Sequence, residues 1–183
     1  VKMQRLLDPV EIPPAKLLPA TQRVADLVLE AYHQKEAIPR LREVAHQCHL
    51  FTGLAEEQVE RLARVFSRRE FAAGSSLFQP GGDSEEMYVL LSGRVEIQMP
   101  EQSEPVGQVS AGETVGEVAF LAEARHSARA VVGSQPLEAG VLTRRDFADL
   151  VRRRPDIGVV IYRNLALGLG EKLKRADRTL SRG

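Results

Sequence analysis

The stretch that decides the fold is GSSLFQPGGDSEEMYVLLSGRVEIQ, residues 74–98. Within and just beyond it, apolar side chains occupy every second position in two short runs, Met87, Val89, Leu91 and then Val95, Ile97, Met99. This spacing is typical of strands with one buried face. Ser92 and Gly93 lie between the runs and predict a turn. Glycines recur at short intervals from residue 74 to residue 140. The pattern therefore predicts a small antiparallel barrel or jelly roll between Glu70 and Leu142.

Helical periodicity replaces the alternation on the N-terminal side of this region. Residues 1–20 contain four prolines and predict an extended arm. Apolar residues at steps of three and four then predict three helices, one from Thr21 to Tyr32, one from about Ile38 to about Cys48, and one from Leu54 to Phe66.

The C-terminal side is helical as well. A short helix is predicted over 144–154, ending near Pro155, and a longer one over 156–177. The longer helix carries an apolar stripe at steps of four residues, formed by Ile157, Ile161, Leu165, Leu169 and Leu173. The fold class is thus mainly β with flanking helices.

Composition limits the classes of partner. The 183 residues hold 25 Lys and Arg against 25 Asp and Glu, so no net charge is available to attract nucleic acid or an anionic membrane. No apolar run is long enough to span a bilayer, and no signal peptide begins the chain. A single cysteine, Cys48, excludes an internal disulfide and fits a reducing compartment, so we expect a cytoplasmic protein. The chain starts with Val1 rather than Met, which suggests part of a longer protein.

Residues 74–98 resemble the cyclic nucleotide-binding domain family, in which G-x-x-[LIV]-[FI]-x-x-G-[DE] precedes an aromatic-bearing strand and a G-x-V turn. SAGETVGEVAFL, residues 110–121, is similar to the family's phosphate-binding cassette. HLFTGL from His49 and LTRRDFADLVRRRP from Leu142 match the entry helix and the helix after the roll. The resemblance implies an N-terminal arm and helical segment at 1–48, a β-roll with its entry helix at 49–143, and C-terminal helices at 144–183.

The resemblance also implies a ligand, cyclic AMP or cyclic GMP, and the residues that contact it. Backbone N–H groups at the start of a short helix suit a phosphate, and a carboxylate suits a ribose hydroxyl. Glu117 is the residue placed to accept from that hydroxyl, and the apolar side of residues 118–121 is expected to pack into the roll. The implied ligand-binding residues are Gly116, Glu117, Val118, Ala119, His126, Ser127 and Ala128.

The sequence departs from the family at the phosphate charge. The family pattern places an Arg about nine residues after the Glu, and here that position is His126. Losing a charged hydrogen bond weakens binding by about 1.5–3 kcal/mol, which is one to two decades of affinity. Two readings of His126 remain open. It is a surface or strand-end histidine without a partner, or it contacts the phosphate in a pH-dependent way. The candidate substitutes for the missing cation are Arg125 and Arg129.

Residue patterns for catalysis and metal binding are absent from the sequence. His46, Cys48 and His49 are close together but lack a fourth ligand at a recurring spacing, so no metal is expected. The β region holds only His126, too few histidines for a metal-dependent oxygenase. No nucleophile elbow or P-loop occurs, so we predict a protein that is not an enzyme and needs no cofactor.

Two functions remain as hypotheses. The first is a regulatory domain in which a cyclic nucleotide shifts the C-terminal helices and signals to an unknown protein effector. The second is a degenerate roll that binds no nucleotide and serves as an interaction module. Little chain follows the last helix, so direct DNA binding is not expected.

Self-association is predicted in both cases. Because a helix has 3.6 residues per turn, a stripe with a step of four residues rotates gradually around the helix. One straight partner cannot cover all of it, so its far end must face a second surface. Gly168 and Gly170 weaken the isolated helix and offer a close approach to another chain. We predict a homodimer with Leu165, Leu169 and Leu173 at the seam.

Overall fold

The computed structural model describes residues 39–180, with side chains placed for residues 39–175. The predicted arm at 1–20 and the helix predicted over 21–32 lie outside the described residues. The proposed boundary between an N-terminal segment and the roll at residue 48 stays a prediction.

The described chain begins with three short helical elements. Residues 39–45 form helix α1, a 3-10 turn covers His49–Phe51, and α2 covers Glu56–Ala63. The prediction that α1 reaches about Cys48 is wrong, because a turn at 46–47 ends it. The prediction of a helix to Phe66 is also wrong. Phe66 is fully buried as the first residue of a strand, where its pairing with Leu142 overrides the helical spacing.

Eight strands follow, and every pairing between them is antiparallel. Their bounds are β1 Phe66–Phe71, β2 Ser76–Phe78, β3 Glu86–Ser92, β4 Arg94–Gln98, β5 Gly107–Ser110, β6 Thr114–Val115, β7 Arg129–Val132 and β8 Leu137–Thr143. They form two four-stranded sheets, β1-β8-β3-β6 and β2-β7-β4-β5, rather than one closed barrel. The mainly β fold with flanking helices is confirmed. Its β region starts at Phe66, four residues before the predicted Glu70.

The link at Ser92 and Gly93 is a crossing between the sheets. β3 pairs with β6 and β8, whereas β4 pairs with β5 and β7, so these two strands do not form a hairpin. Gly93 has a φ of 75°, in the left-handed region that favours glycine. The turn predicted from these residues is present, but it carries the chain from one sheet to the other.

Strand β3 lies between two cores. Met87 and Val89 pack with the helices, while Tyr88 and Leu90 face the second sheet. The first sheet is covered by helices on one side and by the second sheet on the other. Successive side chains of β3 therefore point to opposite faces of the sheet, and both of these faces are buried.

Three more helices complete the fold: α3 Glu117–Ala122, α4 Arg144–Arg153 and α5 Pro155–Leu180. The two predicted C-terminal helices are confirmed, with α5 starting one residue earlier and ending three residues later than expected. In the stripe, Ile157, Ile161 and Leu165 are fully buried in the helical core, whereas Leu173 is 65% exposed. Asn164, also on α5, donates to the carbonyl oxygens of Leu50 and Thr52 at 2.9 and 2.8 Å. These contacts attach the first half of α5 to the domain.

Candidate functional site

The centre of the candidate site is the single-turn helix α3. It follows Gly116, whose φ of 87° places the backbone in the left-handed region. A β-carbon at this position would lie 3.4 Å from the carbonyl oxygen of Glu86 and 3.6 Å from the ring of Tyr88. The backbone N–H of Phe120 donates to the carbonyl of Gly116 at 3.1 Å. Glycine is therefore needed at this strand-to-helix turn.

Glu117, the first residue of α3, is buried and paired with α5. Its side chain is only 4% exposed, and the ammonium of Lys172 lies 2.7 Å from its Oε1. The same ammonium donates to the carbonyl oxygen of Thr114 at 2.6 Å. The second carboxylate oxygen, Oε2, is buried without a hydrogen-bond partner. One oxygen of Glu117 is thus engaged by Lys172, and the other has its hydrogen-bonding capacity unfilled.

Two more buried polar atoms lack a partner in the described chain, and both belong to residues near Lys172. They are Oγ1 of Thr114 and Nε2 of His49. The imidazole of His49 packs against Gly168 so closely that a β-carbon there would lie 2.1 Å from Nε2. The close approach expected at Gly168 is thus made by the chain's own His49, not by a second chain.

Charges around His49 and its partial burial act together on its pKa. The pKa of His49 lies below its ordinary value, mainly because burial removes solvent from the imidazole. The nearby ammonium of Lys172 lowers this pKa further. Glu117, Glu113 and Arg175 also act on this imidazole, with the two carboxylates opposing the shift. Arg175 lies 3.2 Å from Glu113 and so attaches α5 to the loop between β5 and β6 as well.

His126 is a buried side chain rather than a surface or strand-end residue. Its ring is stacked on Phe78 with 3.8 Å between centroids and 8° between planes. Its backbone is held by Gly81 and Gly82, with N–H to carbonyl distances of 2.8 and 3.1 Å. Burial lowers the pKa of His126, and a hydrogen bond to the backbone of Asp83 partly opposes this. The ring is accordingly neutral at physiological pH.

A cavity of about 250 Å³ lies beside His126. Its walls combine aromatic rings with carboxylates, and they are Leu77, Phe78, Gln79, Gly82, Asp83, Glu85, Glu86, Tyr88 and His126. Glu86 is neutralised by Arg69 at 2.8 Å and accepts from the hydroxyl of Tyr88 at 2.8 Å. Glu85 is paired with Arg144 at 3.8 Å. Asp83 is the remaining carboxylate on the cavity wall and makes it less favourable for an anion.

A larger cleft of about 540 Å³ lies between α2 and α4, away from α3. It is lined by charges of both signs, and Arg61–Glu57 and Arg64–Glu60 are salt bridges within α2, at 2.8 and 2.9 Å. The positive and negative charges along this cleft balance, so its charge does not select an anionic or a cationic ligand.

The two candidate substitute cations face neutral acceptors. Arg125 donates to the carbonyl oxygen of Gly81 at 2.7 Å, and Arg129 donates to the hydroxyl of Ser76 at 2.9 Å. Both side chains are exposed. Ser127 between them is exposed too, and Ala128 is half-buried. Their assignment as ligand contacts stays a prediction.

The rest of α3 contacts the neighbouring helices. Phe120 is buried, but in the core that the helices share rather than inside the roll, and Val118 is 59% exposed, so the expected packing of this turn into the roll is wrong for both residues. Arg144, at the start of α4, donates to the carbonyl oxygen of Phe120. The ring centroids of Phe120 and Phe147 are 5.9 Å apart, which connects α3 to α4. Those of Phe147 and Tyr162 are 5.1 Å apart, which connects α4 to α5.

The lowered pKa values of His49 and His126 predict a pH-dependent stability. Both values lie below that of an unfolded histidine, so the unfolded chain binds more protons as the pH falls through about 6.5. The stability is therefore complete above that pH and is lost progressively below it. We expect the free energy of unfolding in urea to fall between pH about 7.5 and about 5.5. A His49→Asn variant should flatten this dependence, whereas replacing the exposed His46 by Asn should not. Equal pH dependence in all three proteins would contradict the assignment.

Metal and membrane features were also searched in the described residues. Residues 39–180 contain no group of three or more His, Cys, Asp and Glu side chains placed to hold a metal. Burial raises the pKa of the Cys48 thiol to about 11, so this thiol is protonated at neutral pH. Among the helices that the structure describes, none combines the length and the apolar character required to cross a bilayer.

Sequence reasoning did not identify Lys172, Phe78 or Arg144 as parts of this site. Lys172 is 55 residues from Glu117 along the chain, and its pairing depends on how α5 lies across the roll. Phe78 lies within the quoted stretch 74–98, but nothing in the sequence predicted that its ring would stack on His126. Arg144 stood in the matched helix after the roll, without a partner that the sequence could name.

Comparison with known proteins identifies the family. Residues 68–154 match the family model of the cyclic nucleotide-binding domain. The cyclic AMP receptor protein of Thermus thermophilus is 33% identical over 134 residues, which are 72% of this chain and 60% of that protein. The chain therefore spans less than two thirds of this relative.

Solved structures agree with the fold. The catabolite activator protein of Thermus thermophilus superposes with a TM-score of 0.63 at 32% identity, covering 73% of this chain and 62% of that one. A cyclic nucleotide-binding domain from Methylobacillus flagellatus gives a TM-score of 0.72 at 22% identity, covering 81% and 85% of the two chains. The family match, supported by the 33% identical Thermus relative, shows that residues 68–154 form a domain of the cyclic nucleotide-binding family.

Proposed function

We propose that this chain is a regulatory sensor domain. It binds a small ligand of the cyclic nucleotide type beside α3, and Glu117 accepts a hydrogen bond from a ribose hydroxyl of that ligand. The observation that carries the proposal is the position of α3, which contacts both C-terminal helices through buried or half-buried side chains. A ligand that moves α3 would therefore act on α4 and α5 directly.

Two contacts support transmission to the C-terminal helices. Lys172 attaches α5 to Glu117 at the start of α3, and Arg144 attaches α4 to the Phe120 carbonyl nearer its end. A ligand hydroxyl that takes the place of Lys172 at Oε1 of Glu117 loosens or reorients the second half of α5. The ring series of Phe120, Phe147 and Tyr162 offers a second physical connection.

Titration with fluorescently labelled cyclic AMP and cyclic GMP tests the proposed function. We expect binding in the range of tens of micromolar or weaker, because His126 replaces the family cation. Glu117→Gln should weaken the binding about tenfold, since an amide is a poorer acceptor than a carboxylate. Glu101→Gln, at an exposed loop position, is the matched control. A folded protein that binds neither nucleotide would favour the degenerate interaction module instead.

The proposed function includes a homodimer formed through α5. Five residues on its outer side follow the alternating three- and four-residue spacing of a coiled-coil seam: Val159, Tyr162, Ala166, Leu169 and Leu173. Val159 is 69% exposed and Leu173 is 65% exposed. Leu165 was predicted at this seam, but it is fully buried in its own domain and is therefore excluded from it. The proposed seam thus keeps Leu169 and Leu173, loses Leu165, and gains Val159, Tyr162 and Ala166.

Replacing Leu169 by Glu is expected to give monomers, because the charge would be buried at the centre of the seam. Light scattering at tens of micromolar protein measures the mass. Leu167→Glu is the matched control, since Leu167 is 55% exposed on the same helix but lies off the seam, and it should remain a dimer. An unmutated protein with the mass of a monomer would overturn the dimer.

A further inference from the structure

We propose that protonation of His49 releases the second half of α5, residues 168–180, from the domain. The neutral imidazole packs against this half of the helix, and the imidazolium frees it while the first half stays in place. The inference goes beyond the proposed function, because the release needs no nucleotide. It follows from how the two halves of α5 are attached and from the groups that surround His49.

The two halves of α5 are attached to the domain in different ways. The first half is held by apolar side chains that are fully buried, the last of which is Leu165. Among residues 166–175, the part of the second half and its approach whose side chains the structure describes, none is buried. Gly168 and Gly170 lower the helix propensity where the second half begins. A helix end of the length of 168–180 is marginal when it is not packed, so its order depends on few contacts.

His49 makes one of these contacts, at the point where the second half begins. A β-carbon at Gly168 would lie 2.1 Å from Nε2 and 2.8 Å from Cδ2 of the imidazole, so only a glycine admits the ring here. Nε2 is buried, and the described chain offers it no hydrogen-bond partner. The neighbouring thiol of Cys48 is protonated at neutral pH and provides no counter-charge. Since an imidazolium carries an N–H on both nitrogens, protonation places a charged donor against the helix without an acceptor.

The charged groups around His49 favour its cation only after α5 has moved. Lys172 and Arg175, both on α5, disfavour a further positive charge at the imidazole. Glu117 at the start of α3 and Glu113 in the loop between β5 and β6 oppose them, but these carboxylates are paired with Lys172 and Arg175 at 2.7 and 3.2 Å. When the second half leaves, it takes both cations with it. The two carboxylates then remain to balance the imidazolium.

The direction of the pH effect follows from this exchange of charges. Burial, and after it the ammonium of Lys172, hold the pKa of His49 below its ordinary value while α5 is packed on the ring. A proton therefore binds more tightly once α5 has left, and by linkage a falling pH favours the released state. Release is disfavoured at pH about 7.5 and increasingly favoured below about 6.5, the ordinary pKa of a histidine. Acid thus produces, without a ligand, the displacement of α5 that ligand binding is proposed to produce.

Hydrogen–deuterium exchange of the full chain without nucleotide tests the inference. Exchange is followed by mass spectrometry at pH about 7.5, 6.5 and 5.5, and the rates are corrected for the intrinsic pH dependence of amide exchange. Protection of the amides in 169–175 should fall about tenfold or more across this range, whereas those in 157–165 should keep their protection. Unchanged protection in both segments, or an equal loss in both, would overturn the inference without bearing on nucleotide binding.

Asparagine variants assign the titrating group. His49→Asn should abolish the acid-induced loss of protection in 169–175, because an amide does not titrate. His46→Asn, at an exposed position in the same segment, is the matched control and should retain the loss. A loss that persists in His49→Asn would show that another group drives the release, and the inference would be wrong.

Alanine variants test the contact between the ring and the helix at constant pH. Gly168→Ala places a β-carbon on the imidazole of His49, so the second half should already be released at pH about 7.5. Gly170→Ala is the matched control, because a β-carbon there meets nothing within 4 Å and alanine favours the helix, so protection should be equal or higher. Equal protection of 169–175 in the two variants would mean that His49 does not hold the second half of α5.

Discussion

Replacing Lys172 by Met is expected to destabilise the domain by about 3 kcal/mol. The carboxylate of Glu117 is 4% exposed and Lys172 lies 2.7 Å from it, so the substitution leaves a buried charge without its partner. Removing one member of a buried pair typically lowers the free energy of unfolding by about 3–5 kcal/mol, and the partial exposure of Lys172 places this pair at the lower end. Urea unfolding followed by circular dichroism measures the change.

A second lysine on the same helix is the control for this experiment. Lys174 pairs with Glu171 at 3.0 Å, but both side chains are about two thirds exposed, at 66% and 65%. Lys174→Met should change the free energy of unfolding by less than about 1 kcal/mol. Combining Glu117→Gln with Lys172→Met should recover part of the lost stability, because the unpaired buried charge is then gone. Equal effects of the two lysine substitutions would show that Lys172 is only a surface residue.

Replacing Gly93 by Ala is expected to destabilise the domain by about 3 kcal/mol as well. Gly93 has a φ of 75°, and a β-carbon there would lie 2.9 Å from the carbonyl oxygen of Pro136. The left-handed backbone costs an alanine about 1–2 kcal/mol, and the clash with a backbone oxygen adds to this because no side chain can rotate away. Thermal and urea unfolding measure the loss of stability.

Gly74 provides the matched control for Gly93. Its φ is 74°, but a β-carbon there would meet nothing within 4 Å. Gly74→Ala should therefore show only the backbone effect, about 1–2 kcal/mol. The difference between the two variants isolates the contact between the link at Gly93 and the chain before β8. If both variants lose the same stability, the close approach to Pro136 has no energetic consequence.

Much of the fold could be predicted from local patterns. The alternation at Met87, Val89 and Leu91 predicted β3, and the apolar spacing after Arg144 predicted α4 and α5. These signals identify the elements because side chains on the same face recur every second residue in a strand and every three to four residues in a helix. The boundary at Phe66 failed because Phe66 fits the helical spacing, whereas pairing with β8 makes it the first residue of β1.

The site divides in the same way. The sequence by itself determined the turn at Gly116, the carboxylate at Glu117 and the histidine in the family's arginine position, because these are short-range features of one segment. Only the tertiary structure decided that Lys172 holds Glu117, that His49 occupies the space at Gly168, and that Leu165 is buried in its own domain. Each of these contacts joins residues far apart in the chain. Their pairing depends on where α5 lies across the roll, a packing choice to which many side chains contribute and which no single segment encodes.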